Sequence, residues 1–326
     1  MGDRHAVMRG AMRGMIMRRV LQSAPLLVLI SVLVFALLQA VPGGPLAAYL
    51  ENPNVRPQDI ERLRAAMGLD RPLAAQYVSW LSAFVRGDWG YSFADGRPVL
   101  DRVLERVPAT LELVGASTVL ALCVALPVGV LASVHRLFDR VTSLVAVAGI
   151  SLPVFWFGLL LQLVFAITLG WLPSSGRASF GANSLADRIA HLVLPVVVLA
   201  AVQAAAWSRY LRRAMRETIG RPFMNAARVR GVSERGVLWH HALPNALGPF
   251  ITVVLLDAAI MASGAVVTES VFAWPGVGSL FTESLVKRDY PVLMAFLMCG
   301  AMAVMVLNLL ADIAVRSIDP RTRGAA

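Results

Sequence analysis

Three polar side chains interrupt long apolar runs in this sequence. Asp257 lies midway along the run 246–268, and Gln162 and Gln203 lie in the runs 142–169 and 190–207. A carboxylate at the centre of a bilayer costs about 2.5–3.5 kcal/mol on insertion scales, so it faces a bundle interior or an aqueous path. Asp257 could meet the amino group of a solute, or it could be a neutral or paired structural acid, for example one bonded across a subunit interface. The two glutamines could line such a path or join helices by hydrogen bonds, and the second reading is preferred. Asn308 and Asp312 stand one helical turn apart, and Asp312 reaches Arg316 at i+4, which reads as an ordinary helix-end pair.

Other chemistries are not supported. The two cysteines, Cys123 and Cys299, lie in apolar runs and read as small buried packing residues rather than a disulfide framework. The five histidines, His5, His135, His191, His240 and His241, show no metal-site spacing. No phosphate-binding loop of the G-x-x-x-x-G-K-[ST] type occurs. Asp257 and Asp312 raise the idea of an intramembrane protease, but no nucleophile elbow or His-x-x-Glu-His pattern accompanies them.

The elements that would position these residues follow from composition. The chain has 326 residues, 57% hydrophobic and only 15% charged. Soluble domains carry about 25% charged residues, so lipid is the expected solvent. Six stretches are long and apolar enough to cross a bilayer as helices: 20–41, 113–134, 142–169, 190–207, 246–268 and 291–313. Open strands cannot satisfy their backbone in lipid, so an all-α membrane protein with six transmembrane helices is expected. The first run follows Arg18 and Arg19 but exceeds the 7–15 residues of a signal-peptide core, and it reads as a retained helix.

Charge sets the expected orientation. With the N-terminus inside, segments 1–19, 135–140, 208–245 and 314–326 hold 18 basic and five acidic residues, whereas the outer segments hold 12 of each. This bias follows the positive-inside rule and puts both termini in the cytoplasm. The net charge of +10 is then a feature of retained loops and needs no nucleic-acid partner.

Two loops stand out. Segment 42–112 is expected outside, with short helices of its own. Pro57 starts one with Ile60, Leu63 and Met67 on one face. A second places Leu73, Tyr77, Leu81 and Phe84 on one side. A third begins at Pro98, with Val99 and Val103 inward, and leads to Pro108. Between the second and third lies an aromatic Gly/Asp turn, "RGDWGYSF". The segment is either a cap lying on the membrane or a docking surface for an external partner. The inner loop, 208–245, is basic near the fourth span through Arg209, Arg212, Arg213 and Arg216. Pro222 can open a short helix that Gly231 ends in a left-handed cap. Ser233 can cap the next helix, "ERGVLWHHAL", starting at Glu234 and stopping before Pro244. Ala226 and Ala227 are small and invite close approach by another surface.

This inner loop resembles the EAA loop of ABC importer permeases. The family pattern is Glu-Ala-Ala, three residues, Gly, nine residues, a hydrophobic residue, any residue, Leu-Pro. Here Asn225-Ala226-Ala227, Gly231 and His241-Ala242-Leu243-Pro244 keep every spacing, with Asn225 in place of the acid and His241 in place of the hydrophobic residue. The version "AARVRG" looks like the variant of the dipeptide, oligopeptide and nickel permease branch. Similar matches include "GLDRPLAAQYVSWL" (68–81), "GDWGYS" (87–92), "RVPATLEL" (106–113), "GWLPSSG" (170–176), "HHALPNALGPFIT" (240–252), "ESVFAWPGVGSL" (269–280), "RDYP" (288–291), "NLLAD" (308–312) and "DPRTRG" (319–324). The "PGGP" of 42–45 looks like the family's "PGDP", with Gly44 replacing the acid.

The resemblance implies a type I ABC importer permease (MetI-like) fold: a cytoplasmic N-terminus 1–19, a first span 20–41, the external loop 42–112, a permease core 113–316 containing the coupling loop 208–245, and a cytoplasmic tail 317–326. It implies a prokaryotic inner membrane, a second homologous permease subunit, two ABC ATPase subunits and an external solute-binding protein. This chain would carry no cofactor of its own, with ATP and Mg on the ATPases. Asn225, Ala226, Ala227, Gly231, Ser233, Glu234, His241, Leu243 and Pro244 would form the ATPase-coupling element. The solute would be a di- or oligopeptide, with nickel or glutathione as alternatives. A secondary transporter would need inverted repeats and broken helices, and no convincing internal repeat is present.

Overall fold

The computed structural model describes residues 2–40, 46, 56–66, 68–181 and 184–318. The motifs "PGGP" and "DPRTRG" lie outside them. Among the described residues the regular structure is helical, apart from one isolated antiparallel bridge between Tyr91 and Pro98. In chain order the helices are α1 (Gly2–Ala40), α2 (Pro57–Ala66), α3 (Leu73–Val85), α4 (Val99–Val134), α5 (Arg136–Ser151) and α6 (Val154–Leu161), which runs on as a π-helix, Gln162–Thr168. Next come α7 (Leu185–Ile219) and α8 (Pro222–Val229). A single turn, Glu234–Gly236, and a π-helical segment, Val237–Ala242, lead into α9 (Leu243–Val271), followed by α10 (Val277–Val286) and α11 (Tyr290–Ile318).

Five segments among the described residues are long and apolar enough to cross a membrane: Ile16–Ala40, Val99–Val134, Leu185–Ile219, Glu234–Ala258 and Tyr290–Ile313. They coincide with five of the six expected spans. The remaining stretch, 142–169, is not one straight helix. Proline disfavours the helical region for its predecessor, and Leu152, just before Pro153, is extended (φ −84°, ψ 128°). That residue separates α5 from α6. A second departure concerns Pro108, which does not end a short helix: α4 runs through it without a break. Pro108 forfeits one helical hydrogen bond, but the burial of Val103, Ala109 and Leu113 on either side of it outweighs that loss.

The chain divides into two compact units. The first comprises Met1–Ala109 and Gly276–Met305. Its core holds Val99 and Val103, inward as expected, with Leu280, Val292 and Ala295, and Trp89, Val107 and Cys299 packed against them. An aromatic ladder runs beside it. Phe35 of α1 meets Tyr77 edge-on at 5.6 Å, Trp80 meets Phe84 at 5.5 Å, and Phe84 stacks on Trp89 at 4.9 Å. Leu73, expected on the same inward face, is exposed at the first turn of α3. Arg102 is buried and is the hub of an ionic cluster. It pairs with Asp95 at 3.3 Å and with the wholly buried Asp289 at 3.3 Å, and Asp289 also accepts from the Ser92 hydroxyl and the Phe93 N–H. The Asp95 carboxyl lies below its ordinary value: burial pushes it up, but the Arg97 N–H, the Ser92 hydroxyl and the Arg102 guanidinium together outweigh that.

The second unit comprises Thr110–Pro275 and Val306–Ala326. Leu194, Val198 and Phe272 form its core cluster, with Phe157, Leu161, Phe165 and Leu172 packed on it. Small residues set the helix spacing. A β-carbon on Gly129 of α4 would lie 2.9 Å from Leu211 Cβ and 3.0 Å from the Ser208 carbonyl oxygen of α7. Cys123, expected to be buried, is exposed on α4. Its thiol counts as an apolar group there, which a lipid-facing or subunit-facing surface accepts as readily as a core.

Candidate coupling loop and polar sites of the second unit

The inner loop folds as an elbow. Arg221 is extended (φ −78°, ψ 147°), and Pro222 opens α8 at the first helical position, where a missing N–H is harmless. After Val229 the chain turns through Gly231 at φ +79°, a left-handed conformation that a β-carbon resists. The Gly231 N–H donates to Arg228 O at 2.9 Å, and the Val232 N–H donates to Ala227 O at 3.3 Å, which closes the last turn. Ser233 then caps the next turn by accepting from the Gly236 N–H. A side-chain brace spans the bend: Arg228 donates to Asn225 Oδ1 at 3.1 Å and to Glu234 Oε1 at 2.9 Å. Asn225, which stands where the family pattern has an acid, therefore serves as an acceptor within the elbow.

Two expectations need correction. The helix beginning at Glu234 does not stop before Pro244. It widens into the π-helical segment Val237–Ala242 and continues as α9 through Pro244. A π-turn shifts the hydrogen-bond register, so a missing N–H at Pro244 is tolerated. The His241 carbonyl accepts from Asn245 Nδ2 at 2.7 Å. The alanine pair also splits. Ala226 is exposed, whereas Ala227 is buried in the unit's interior, as are Met224, Val237 and Ala242. The outward apolar face of α8 is Phe223, Ala226 and Val229, at spacing i, i+3, i+6, and Val229 is 88% exposed.

A clamp that the sequence did not reveal holds the start of this loop. Asp139 of α5 pairs with both Arg212 and Arg216 of α7, the latter at 2.9 Å. Arg212 also donates to Ser143 Oγ at 3.1 Å. Arg216 donates to the Ala132 and Ser133 carbonyls at 3.2 and 3.3 Å, which caps the C-terminal end of α4. The available signal was the i, i+4 spacing of two arginines facing a short segment with one acid.

The polar residues in the apolar runs occupy different settings. Asp257 accepts from Trp207 Nε1 at 2.8 Å, and Trp207 is wholly buried. Gln203 stands one turn before Trp207 on the same face of α7, half-buried. Gln162 is a strap: its amide donates to Ser174 O at 2.7 Å and to Val271 O at 3.0 Å. Gly176 N adds a bond to Phe272 O at 2.8 Å, so the "GWLPSSG" segment is fastened to the end of α9. The Arg316 side chain of the expected Asp312–Arg316 pair lies outside the described residues.

Two further groups were missed. Glu269 is a wholly buried carboxylate that accepts from Thr110 Oγ1 at 2.6 Å. Glu112 of α4 is shared by two guanidinium groups: Arg177 at 2.5 and 2.9 Å, and Arg188 at 3.3 and 3.4 Å. Among the described residues no group of three or more His, Cys, Asp or Glu could hold a metal ion.

Two family models cover most of the chain. One, described as "Binding-protein-dependent transport system inner membrane component", matches residues 125–324, and its N-terminal companion matches residues 12–114. The chain belongs to this family. It is a multi-pass inner-membrane permease subunit of the ABC importer type and not an enzyme. Among similar proteins is the oligopeptide transport system permease protein AppB of Bacillus subtilis (strain 168). It is 39% identical over 315 residues, covering 95% of this chain and 99% of that protein. The glutathione transport system permease protein GsiC of Escherichia coli (strain K12) is 37% identical over 310 residues, covering 94% and 98%. Among solved structures, the MetNI methionine ABC transporter in an inward-facing conformation matches with a TM-score of 0.54 at 18% identity, covering 67% of this permease and 96% of that chain. An amino acid ABC transporter matches with a TM-score of 0.51 at 14% identity, covering 67% and 94%. At that identity the likeness establishes the fold of the permease, the MetI-type arrangement.

Proposed function

We propose that this permease and a second, homologous one form the translocation path of an ATP-driven importer of di- or oligopeptides. Two ABC ATPase subunits supply ATP and Mg chemistry, and an external solute-binding protein delivers the solute. Both termini and the loop 208–245 lie in the cytoplasm, and 42–112 lies outside, in keeping with the arginine bias. The observation that carries the reading is the elbow of Asn225 to Pro244. A short helix on a left-handed glycine bend, braced by Arg228, presents Phe223, Ala226 and Val229 to the outside of the subunit. An exposed apolar helix face in an arginine-rich loop suits a cleft on a partner, here the ATPase. Closure of the ATPases on ATP would then move α8 and switch the path between its two openings.

Val229→Asp tests the coupling without touching the subunit's interior. The variant should insert and assemble its membrane part normally but lose co-purification with the ATPase and ATP-driven uptake. Normal uptake with the ATPase attached would overturn the coupling role. The similarity to AppB supports peptides as the solute class. The similarity to GsiC supports glutathione, a peptide-like solute, as the second reading, and competition between glutathione and oligopeptides for uptake would separate them. Within the path, Asp257 with Gln203 is proposed to meet the amino group of the solute, and Asp257→Asn should leave assembly intact and lower uptake.

A further inference from the structure

We infer that the cavity at the arginine-rich end of α7 binds the phosphate headgroup of an anionic phospholipid, with Arg209 and Arg213 as its principal ligands. The cavity measures about 590 Å³ and is lined by Arg209, Arg212, Arg213 and Arg216, with Tyr210 and Glu217 beside them. Two of the four arginines are already committed to the fold. Arg212 is held by Asp139 and Ser143, and Arg216 by Asp139 and the Ala132 and Ser133 carbonyls. The other two stand outside that clamp. Arg213 pairs with Glu217 at 3.4 Å within the same helix, but its side chain is 82% exposed and such a pair contributes little. Arg209 is half-buried, and among the described residues no acid, hydroxyl or carbonyl pairs with it. A partly buried cation without a counter-charge is costly, and an anion supplied from outside removes that cost.

The place of the cavity identifies the anion. The apolar run 190–207 ends two residues before Arg209, so the site begins where the bilayer core ends. Arg209 and Arg213 are four helical residues apart, a rise of about 6 Å. One headgroup layer is about 5–8 Å deep, so both guanidinium groups fall within it. Tyr210 is exposed between them, as aromatic rings at this boundary are. At 100° per residue, Arg209, Tyr210, Arg213 and Glu217 share the face of α7 opposite its buried residues Trp207, Leu211 and Met215, so the cavity opens away from the subunit's interior. Retention of basic loops on one side of the membrane accounts for arginines here. It does not account for a cavity among them, or for a half-buried arginine left without an acid. Basic pockets at the ends of membrane helices suit anionic headgroups, and a guanidinium matches phosphate oxygens at two points.

The test measures lipid binding to the full-length permease in detergent by native mass spectrometry, with phosphatidylglycerol and phosphatidylcholine of matched acyl chains as probes. The wild type should prefer phosphatidylglycerol. Arg209→Gln should weaken phosphatidylglycerol binding about tenfold, as loss of one charge-assisted bond does, and leave phosphatidylcholine unchanged. Arg213→Gln, at an exposed position that the fold does not need, should weaken it in the same sense. Arg230→Gln removes an equal charge from an exposed position of the same loop outside the cavity and should have no effect. Equal weakening by all three variants would reduce the preference to general loop charge and overturn the site, and so would full binding by both Arg209→Gln and Arg213→Gln. Inorganic phosphate that competed as well as phosphatidylglycerol would overturn the lipid in favour of a soluble anion. Loss of the preference in the assembled importer would overturn it in favour of a protein partner in the cavity.

Discussion

A close approach of two helices in the second unit can be tested through a pair of glycines on one of them. Gly129→Ala adds a β-carbon 2.9 Å from Leu211 Cβ and 3.0 Å from the Ser208 carbonyl oxygen. Carbon atoms prefer about 3.5–4.0 Å, so α4 and α7 must separate by roughly half an ångström or more. The Ser208 oxygen is backbone and cannot rotate away, and Leu211 is wholly buried. Overpacking of this kind costs about 1–3 kcal/mol. Alanine also raises helix propensity by about 1 kcal/mol over glycine, which would mask part of the loss. Gly115→Ala removes that ambiguity. Gly115 lies on the same helix, and a β-carbon there meets nothing within 4 Å. The propensity gain is common to both variants, so their difference isolates the overlap at about 1–3 kcal/mol, with Gly129→Ala the less stable. Thermal unfolding of the detergent-purified permease should then give a lower Tm for Gly129→Ala by several degrees. Equal Tm values for the two variants would refute the claim that Gly129 sets the spacing of α4 and α7.

Three other perturbations follow from named contacts. Trp207→Phe removes the donor at 2.8 Å from Asp257 and should destabilise the permease by about 1–3 kcal/mol, whereas Trp207→Phe with Asp257→Leu should recover most of the loss; unfolding of both in detergent checks this. Gln162→Leu frees the Ser174 and Val271 carbonyls and should raise protease cleavage within 170–181 several-fold, with little effect elsewhere in the chain. Asp95 has a depressed carboxyl, so its tie to Arg102 is fully present above the ordinary aspartate range and is lost only as pH falls through the lowered folded value. Cleavage in the 91–98 turn should therefore stay flat from neutral pH down to about pH 4 and rise below it, and Asp95→Asn should remove that step.

The sequence was most informative where local rules decide the structure. Pro222, Gly231 and Ser233 each fix a backbone feature within a turn, and the elbow they build was readable from their spacing. The apolar runs marked the long helices for the same reason, since length and hydropathy are local properties. The misses come from tertiary context. Pro108 and Pro244 are local stop signals, yet α4 runs through the first and a π-helical segment carries the chain past the second. Ala226 and Ala227 are equivalent by residue type, and only the packing of α8 decides that one is outward and the other buried. The ion pairs were the least legible. Asp139 and Arg212 are 73 residues apart, and Glu112 and Arg188 are 76 apart. A spacing rule cannot find such partners.

These contacts have a mechanical consequence for the second unit. Helix α4 is fastened to α7 near both ends of their shared length: by Glu112 to Arg188, by Gly129 against Leu211, and by the Ala132 carbonyl to Arg216. Two helices tied near both ends of that length resist bending independently, because bending either one stretches an ion pair or opens a buried contact. Shape change in the unit must then be taken up where the backbone departs from an α-helix. Three such places adjoin the pair or the elbow: the extended Leu152 before Pro153, the turn at Gly220 and Arg221, and the π-helical segment Val237–Ala242. The last two flank α8 and its outward apolar face. A push on α8 would thus turn it about Gly220 and Arg221 on one side and Val237–Ala242 on the other. On the far side of that π-segment lies α9, which carries Asp257 bonded to Trp207 of α7. If the elbow couples to a partner as proposed, a push on it falls first on α9, whose Asp257 is bonded to Trp207 of α7, and needs no bending of α7 itself.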